Sequence, residues 1–217
     1  MLKGKTLSIL GDSISTYLGI SNDKDAHPSL YYNAVYYREP FPLEKTYWMR
    51  VMKSLGMTLC LNNSYSGGNL SGEDMEFSGV RRAATLSRTD GTKPDAVIIF
   101  MGINDLGRGV SPETFARDYK KTLATVGSLY PEAEVCCVNL PDRAAFFLER
   151  TEIFNGIIAE AAAEAGENFF IADLFSSKLR RDFYYNNTTD GLHPDEDGMG
   201  YIAEVITADF LARGERK

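Results

Sequence analysis

Histidine and cysteine are scarce in this chain, which has two histidines and three cysteines among its 217 residues. The two histidines, His27 and His193, lack the spacing of metal ligands. The three cysteines, Cys60, Cys136 and Cys137, are odd in number and fall in apolar, strand-like runs, where a buried free thiol is usual. The sequence therefore favours neither a bound metal ion nor a disulfide framework.

Basic residues are also in the minority. Lys and Arg number 23 against 30 Asp and Glu, which gives a formal net charge of −7. Proteins that bind nucleic acid need clustered Lys and Arg to contact phosphates, so we expect no DNA or RNA partner. Hydrophobic residues make up 44% of the chain and charged residues 24%, which is ordinary for a folded globular protein and gives no sign of a membrane protein.

Long apolar runs and linkers are missing as well. Only a few apolar residues precede Gly11, too few for the core of a signal peptide. We therefore expect the chain as given to be cytoplasmic, while a secreted or periplasmic location stays open if a signal peptide was removed. No repeat or Pro-, Gly- or Ser-rich linker divides the sequence, so we expect one domain over residues 1–217. The sequence leaves the oligomeric state open.

Five short runs of Val, Ile, Leu and Phe predict strands that are buried on both faces. They lie at residues 6–10, 57–61, 96–101, 135–140 and 169–171. Segments with helical spacing lie at residues 43–55, 74–88, 112–129, 147–165 and 196–212. The acidic run 195–197 fits the start of the last helix better than a calcium loop. The alternation predicts an α/β fold, a three-layer α/β/α sandwich around a five-stranded parallel sheet.

The segment 17–48 is long for a crossover and rich in aromatic residues. Its rings include Tyr31, Tyr32, Tyr36, Tyr37, Phe41, Tyr47 and Trp48. We interpret the segment as an insertion whose rings either stack on a sugar or pack together as the core of a lid.

Four short motifs follow the predicted strands or precede the last helix. They are Gly11-Asp12-Ser13, Ser66-Gly67, Gly102-Ile103-Asn104-Asp105 and Asp190-Gly191-Leu192-His193. In an α/β sheet, ligands bind beyond the carboxyl ends of the strands. We therefore expect the four motifs to converge, although 180 residues separate the first from the last (193 − 13).

Ser13 offers a hydroxyl nucleophile, and His193 offers a base for its proton. Asp190 lies three residues before His193, so its carboxylate can hold the imidazole Nδ1 and leave Nε2 facing Ser13. We expect the segment after Ser13 to be helical, which would put its hydroxyl and N–H at a helix N-terminus that favours negative charge. Alternatively, Ser13 only caps that helix and the Asp190–His193 segment is a polar turn. We interpret His27 as part of an exposed loop.

The other two motifs supply hydrogen-bond donors. Asn104 follows a buried strand and can direct its amide at a substrate oxygen, while Gly67 can present its N–H without a side chain in the way. Together with the Ser13 N–H, these donors would form an oxyanion hole. We favour Gly67 as the donor, with the neighbouring Gly68 as the alternative. Asp105 is assigned a structural role in its turn.

In the order of its motifs, the chain resembles the SGNH/GDSL hydrolase superfamily. The motifs that carry the resemblance are Gly-Asp-Ser near the start, a Gly after the second strand, Gly-x-Asn-Asp in the middle and Asp-x-x-His near the end. The resemblance spans nearly the whole chain and implies a flavodoxin-like fold and metal-free ester hydrolysis through an acyl-serine, with no cofactor. It assigns catalysis to Ser13, Asp190 and His193, and the oxyanion hole to Ser13, Gly67 and Asn104. Ile14 stands in place of the Leu of the Gly-Asp-Ser-Leu pattern.

Such enzymes cleave lipid esters, acyl thioesters and acetylated sugars. We favour a small acylated substrate with O-acetyl or short acyl groups on a carbohydrate, and keep a lipid or a thioester as alternatives. Arg108 and Arg143, in loops after the third and fourth strands, are candidates for binding a substrate carboxylate or phosphate, or are solvated charges. Two alternatives to a hydrolase stay open: a flavodoxin-like protein that binds phosphate at the Ser13 loop, and a pseudoenzyme that has lost its activity.

Overall fold

In the computed structural model, which describes residues 2–21, 32, 41–142 and 147–214, five strands form a single parallel sheet. The strands are β1 (Thr6–Gly11), β2 (Thr58–Ser64), β3 (Ala96–Phe100), β4 (Glu134–Val138) and β5 (Phe169–Ala172). They lie in the order β2-β1-β3-β4-β5, and each neighbouring pair is parallel. The order reverses direction between β1 and β3, the place where a doubly wound sheet opens a crevice at its carboxyl edge.

Seven α-helices lie in the described part of the chain. They are α1 (Tyr47–Leu55), α2 (Gly79–Arg82), α3 (Ile103–Gly107), α4 (Pro112–Leu129), α5 (Leu148–Ala165), α6 (Lys178–Asn186) and α7 (Glu196–Gly214). The longest of these cover both faces of the sheet, so the predicted three-layer α/β/α fold is confirmed. No described helix combines the length and the apolar character that crossing a membrane requires.

The central strands send alternate side chains into two separate cores. On β1, Leu7 and Ile9 belong to a cluster that also contains Trp48 of α1 and Ile202 of α7. Leu10, on the opposite face of β1, packs in a second cluster with residues of α4 and α5. Both β1 and β3 are buried on both faces, and β3 accordingly reads as an unbroken apolar run, while β1 includes the buried Ser8.

Local signals place several helix starts correctly. The side chain of Ser111 accepts a hydrogen bond from the Thr114 N–H at 3.2 Å, and Pro112 begins α4 as expected. At α7, the Asp195 side chain accepts from the Gly198 N–H at 2.9 Å, so the acidic run does begin the last helix. All three cysteines are buried and free.

The helix predicted over 74–88 is wrong, because only Gly79–Arg82 is helical there. The carbonyls that would continue this helix have other partners: the Asn63 side-chain amide donates to the oxygens of Arg82 and Thr85. Upstream, Gly72 has a φ of +106°, which no right-handed helix accepts. Side-chain competition for the backbone, invisible to periodicity, therefore shortens this element.

Two other helix predictions need correction, and two helices were missed. The helix predicted over 43–55 begins at Tyr47, after a separate 3₁₀ turn over Leu43–Lys45. The segment after the first strand forms only a 3₁₀ turn, Ser13–Ser15. The helices α3 and α6 were not predicted: α3 has five residues, too few for a periodic pattern, and α6 is mostly polar.

The aromatic-rich insertion is described only in part. Residues 22–31 and 33–40, which include His27, lie outside the described residues. Four of the described rings, Tyr32, Phe41, Tyr47 and Trp48, are at most 3% exposed and belong to the core that α1 and α7 cover. These four rings therefore pack against the body of the protein.

Candidate active site

The turn after β1 brings Ser13 to the carboxyl edge of the sheet. A Cβ on Gly11 would lie 2.5 Å from the Ser15 side chain and 2.7 Å from Ser64 Oγ, so only glycine fits at the end of β1. The Asp12 carboxylate then accepts from the Ile14 N–H at 3.1 Å and closes the 3₁₀ turn. Asp12 rather than Ser13 is the cap, and one short turn does not supply the helix dipole that we expected at Ser13.

Ser13, His193 and Asp190 form a chain of hydrogen bonds. Ser13 Oγ lies 3.0 Å from His193 Nε2, and His193 Nδ1 lies 2.8 Å from Asp190 Oδ2. Ser13 is 5% exposed and His193 is 6% exposed. The arrangement allows the imidazole to take the serine proton while the carboxylate stabilises the resulting positive charge.

The charge state of Asp190 suits that role. Burial alone raises the pKa of its carboxyl group, but hydrogen bonds from the His193 backbone and ring outweigh burial and hold the pKa below its usual value. The carboxylate also accepts from the Leu192 N–H at 3.0 Å. Asp190 is therefore ionised at neutral pH.

Two tyrosines fix the loop that carries His193, and the sequence did not predict either of them. Tyr184 in α6 donates its hydroxyl to Leu192 O at 3.0 Å. Tyr32 donates to Pro194 O, and its ring lies edge-on to the imidazole with centroids 6.2 Å apart. Tyr32 belongs to the aromatic-rich insertion, so at least this ring of the insertion helps to hold the loop of His193.

The β2–α2 loop, residues 65–78, brings Gly67 to the site. Gly67 has a φ of +72°, a conformation that glycine adopts at little cost. The Gly68 N–H donates to Tyr65 O at 3.0 Å, whereas the N–H groups of Gly67 and Ser13 donate to no acceptor within the described ranges. Because an oxyanion needs a donor that is not already used, this difference favours Gly67 over Gly68 as an oxyanion ligand.

Asn104 lies in the first turn of α3 and reaches the same loop. Its Nδ2 donates to Gly68 O at 3.1 Å and lies 3.4 Å from Asp12 Oδ2. The turn before it requires glycine, because Gly102 has a φ of +126° and a Cβ there would lie 2.9 Å from the Phe115 ring. The end of β3 thus places an amide between the Ser13 turn and the β2–α2 loop.

Asp105 ties the β2–α2 loop to α3, a structural role, but one in a distant loop and not in its own turn as expected. Its fully buried carboxylate accepts from the N–H groups of Leu70 and Ser71 at 2.7 and 2.9 Å. Burial raises the pKa of Asp105, and these two hydrogen bonds offset part of the rise. The loop that carries Gly67 is therefore tied to the helix that carries Asn104.

Asp12 is a buried acid to which the sequence analysis gave no role. It is 1% exposed, and burial raises the pKa of its carboxyl group to about 7, although the Ile14 N–H and the nearby charge of Arg82 pull it down. In the sequence, only its place in the Gly-Asp-Ser motif indicated that Asp12 lies at the site.

Of the two arginines proposed for substrate binding, Arg108 lies at the site. Its Nη1 donates to Gly67 O and to Asn69 Oδ1, both at 2.6 Å, and the side chain is largely exposed. Arg143 lies outside the described residues. In the described part of the chain, no three His, Cys, Asp or Glu side chains are grouped to hold a metal ion.

The sequence matches the model of the GDSL-like Lipase/Acylhydrolase family over residues 9–200. No curated protein sequence matches the chain.

Several solved structures share the fold. One is a protein from Bacteroides ovatus described as a GDSL-like lipase (22% identity, TM-score 0.74, covering 97% of this chain and 99% of that one). A second is a lipase/acylhydrolase from Enterococcus faecalis (20% identity, TM-score 0.64, 96% of each chain). A third is a family 2 carbohydrate esterase with a carbohydrate-binding domain from Corynascus thermopiles (Myceliophthora fergusii), at 18% identity and a TM-score of 0.67, covering 96% of this chain and 66% of that one.

Proposed function

Because the chain belongs to the GDSL-like lipase/acylhydrolase family, we propose that it hydrolyses carboxylic esters with Ser13 as the nucleophile. The observation that carries the proposal is the hydrogen-bond chain from Ser13 Oγ through His193 to the ionised Asp190. A serine beside a histidine that a carboxylate orients is the arrangement that activates a hydroxyl for acyl transfer.

In the proposed reaction, His193 Nε2 takes the proton of Ser13 as Oγ attacks the ester carbonyl. The resulting oxyanion accepts hydrogen bonds from the N–H groups of Ser13 and Gly67 and from the Asn104 amide. The imidazolium then gives its proton to the leaving alcohol, and an acyl-serine remains. Water attacks this ester with His193 again as the base, which releases the acid and restores Ser13.

The contacts of Asn104 support its role as an oxyanion donor. Its Nδ2 donates to Gly68 O at 3.1 Å, which holds the side chain in place. The contact between Nδ2 and Asp12 Oδ2, at 3.4 Å, is long and weak. Exchanging that weak contact for one to a developing oxyanion would cost little.

For the substrate, we propose O-acetyl or short acyl groups on a carbohydrate. The supporting observation is the likeness in fold to the carbohydrate esterase of Corynascus thermopiles and to a second family 2 carbohydrate esterase, from Clostridium thermocellum, which was solved with a bound ligand (17% identity, TM-score 0.68, covering 96% of this chain and 63% of that one). Lipid esters and acyl thioesters are the alternatives, because the same mechanism cleaves them. Arg108 stays a candidate for contact with an anionic substrate group.

A substrate panel tests the proposal. Wild-type protein and Ser13→Ala are assayed on acetylated oligosaccharides, on short- and long-chain p-nitrophenyl esters, and on an acyl thioester. We expect acetate release and short-chain ester cleavage by the wild type only. A preference for long chains or thioesters would replace the carbohydrate proposal, and a wild type that cleaves none of them would favour a binding protein or a pseudoenzyme.

A further inference from the structure

Arg82 is a buried arginine at the point where three strands end. It is the last residue of α2 and is 8% exposed, whereas its neighbour Arg81 is exposed. A guanidinium that leaves water must have its N–H groups matched by acceptors. The acceptors of the Arg82 N–H groups therefore show which parts of the chain this side chain holds together.

The contacts of Arg82 are backbone carbonyls from separate parts of the site. Nη2 donates to Gly11 O, at the end of β1, at 3.1 Å. Nη1 donates to the oxygen of Asn63, the last residue but one of β2, and Nε donates to Phe77 O in the β2–α2 loop at 2.8 Å. Nη2 also lies 3.3 Å from the sulfur of Met101, which follows β3. One side chain thus contacts the ends of β1 and β2 and the residue after β3.

These contacts are with residues that lie close along the chain to the groups of the proposed reaction. Gly11 comes two residues before Ser13, and Met101 comes three residues before Asn104. A Cβ built on Gly68 would lie 3.1 Å from Arg82 Nη2, so the guanidinium packs under the peptide whose oxygen holds the Asn104 amide. The guanidinium therefore joins the three segments that carry Ser13, Gly67 and Asn104.

We propose that Arg82 is a positioning residue of the proposed hydrolase: its guanidinium sets the spacing of the three oxyanion donors. The inference rests on the proposed function. Its hydrogen bonds to Gly11 O, Asn63 O and Phe77 O are with the main chain, so we infer that it acts through the N–H groups of Ser13 and Gly67 and the amide of Asn104. A planar group with five donors can bridge several carbonyls at fixed angles, and an ammonium group cannot.

The test compares Arg82→Lys with Arg81→Lys, a matched change at the adjacent exposed arginine. Arg82→Lys keeps the positive charge but loses the bridge. We expect its kcat on p-nitrophenyl acetate to fall by about 10²-fold, because small displacements of oriented groups have effects of that order. KM should change much less, since the donors act on the transition state. Phosphonylation of Ser13 by a fluorophosphonate should slow in parallel, and Arg81→Lys should match the wild type.

A folded Arg82→Lys with the kcat of the wild type overturns the inference and leaves the proposed function standing. A wild type that neither hydrolyses esters nor reacts with the fluorophosphonate overturns the proposed function, and the inference with it. If Arg82→Lys lost both activity and stability, and its kcat returned to the wild-type value at a temperature where the variant is folded, Arg82 would only stabilise the fold and the inference would be wrong.

A second measurement uses only the wild type, in case Arg82→Lys does not fold. The ¹⁵N resonance of Arg82 Nε is recorded before and after phosphonylation of Ser13. A shift at Arg82 with none at Arg81 is expected, because the tetrahedral adduct binds the donors that Arg82 positions. An unchanged Arg82 resonance would contradict the proposal.

Discussion

Asp190 holds His193 at two points. Its Oδ1 accepts from the His193 backbone N–H at 2.8 Å, and its Oδ2 lies 2.8 Å from the ring Nδ1. A single carboxylate thereby fixes both the main chain and the ring of the same residue, which directs Nε2 at Ser13 Oγ, 3.0 Å away. The side chain of Asp190 is 43% exposed, whereas the His193 side chain is 7% exposed, so the solvent-accessible partner is the carboxylate.

The two contacts predict unequal losses in two variants. In Asp190→Asn, the amide oxygen can still accept from one N–H, but the other position no longer attracts the imidazolium. His193→Ala removes the base itself. We expect His193→Ala to lower kcat by about 10⁶-fold and Asp190→Asn by about 10⁴-fold or less, measured with p-nitrophenyl acetate.

Urea unfolding of both variants serves as the control, since each must be as folded as the wild type for the comparison to hold. An Asp190→Asn loss as large as the His193→Ala loss would show that Asp190 does more than orient the ring.

Asn104→Ala should lower kcat and leave KM nearly unchanged. The amide acts on the oxyanion and not on the bound ester, so its removal costs about 10²–10³-fold in kcat, or roughly 3–4 kcal/mol of barrier. Asn168→Ala is the matched control, because Asn168 bonds Pro131 O before β5, at the opposite edge of the sheet. If kcat for Asn104→Ala stayed within twofold of the control, Asn104 would not be a donor.

The buried Asp12 predicts a pH-dependent stability. Its pKa rises from 3.8 to about 7 on folding, because burial disfavours the carboxylate. The folded protein keeps a proton that the unfolded chain has lost, so this contribution to stability is full below about pH 4 and is lost as the pH rises through 7. Between pH 5 and pH 8 the loss is roughly 2–3 kcal/mol.

Asp12→Asn removes the titrating group. Its free energy of unfolding, measured in urea at pH 5 and pH 8, should therefore change less than that of the wild type over the same interval. Identical pH dependence in the two proteins would mean that Asp12 does not carry a raised pKa.

Asp105→Ala should destabilise the protein. The change leaves the buried N–H groups of Leu70 and Ser71 without their acceptor, which costs about 2–5 kcal/mol in total. Urea unfolding measures the effect, and Asp74→Ala, an exposed acid in the same β2–α2 loop, is the control. A loss no larger than that of Asp74→Ala would rule out the anchoring role.

The sequence predicted the strands because each is a short apolar run. It predicted the long helices α4, α5 and α7 because their helical spacing of apolar residues continues over several turns. It failed over 74–88, where the Asn63 side chain takes carbonyls that a helix would need. Ser13, Asn104 and His193 could be found because short motifs after strands converge at the sheet edge. Arg82 and Tyr32 could not, because their roles depend on contacts with distant backbone oxygens, such as that between Tyr32 and Pro194.

Covalent labelling of Ser13 tests the central claim most directly. The intact mass of the protein is measured after incubation with a fluorophosphonate, for the wild type, Ser13→Ala and the exposed-site control Ser54→Ala. We predict one adduct on the wild type and on Ser54→Ala, and none on Ser13→Ala. A Ser13→Ala sample that labels as fully as the wild type, or a wild type that stays unlabelled, would contradict the assignment of Ser13 as an activated nucleophile.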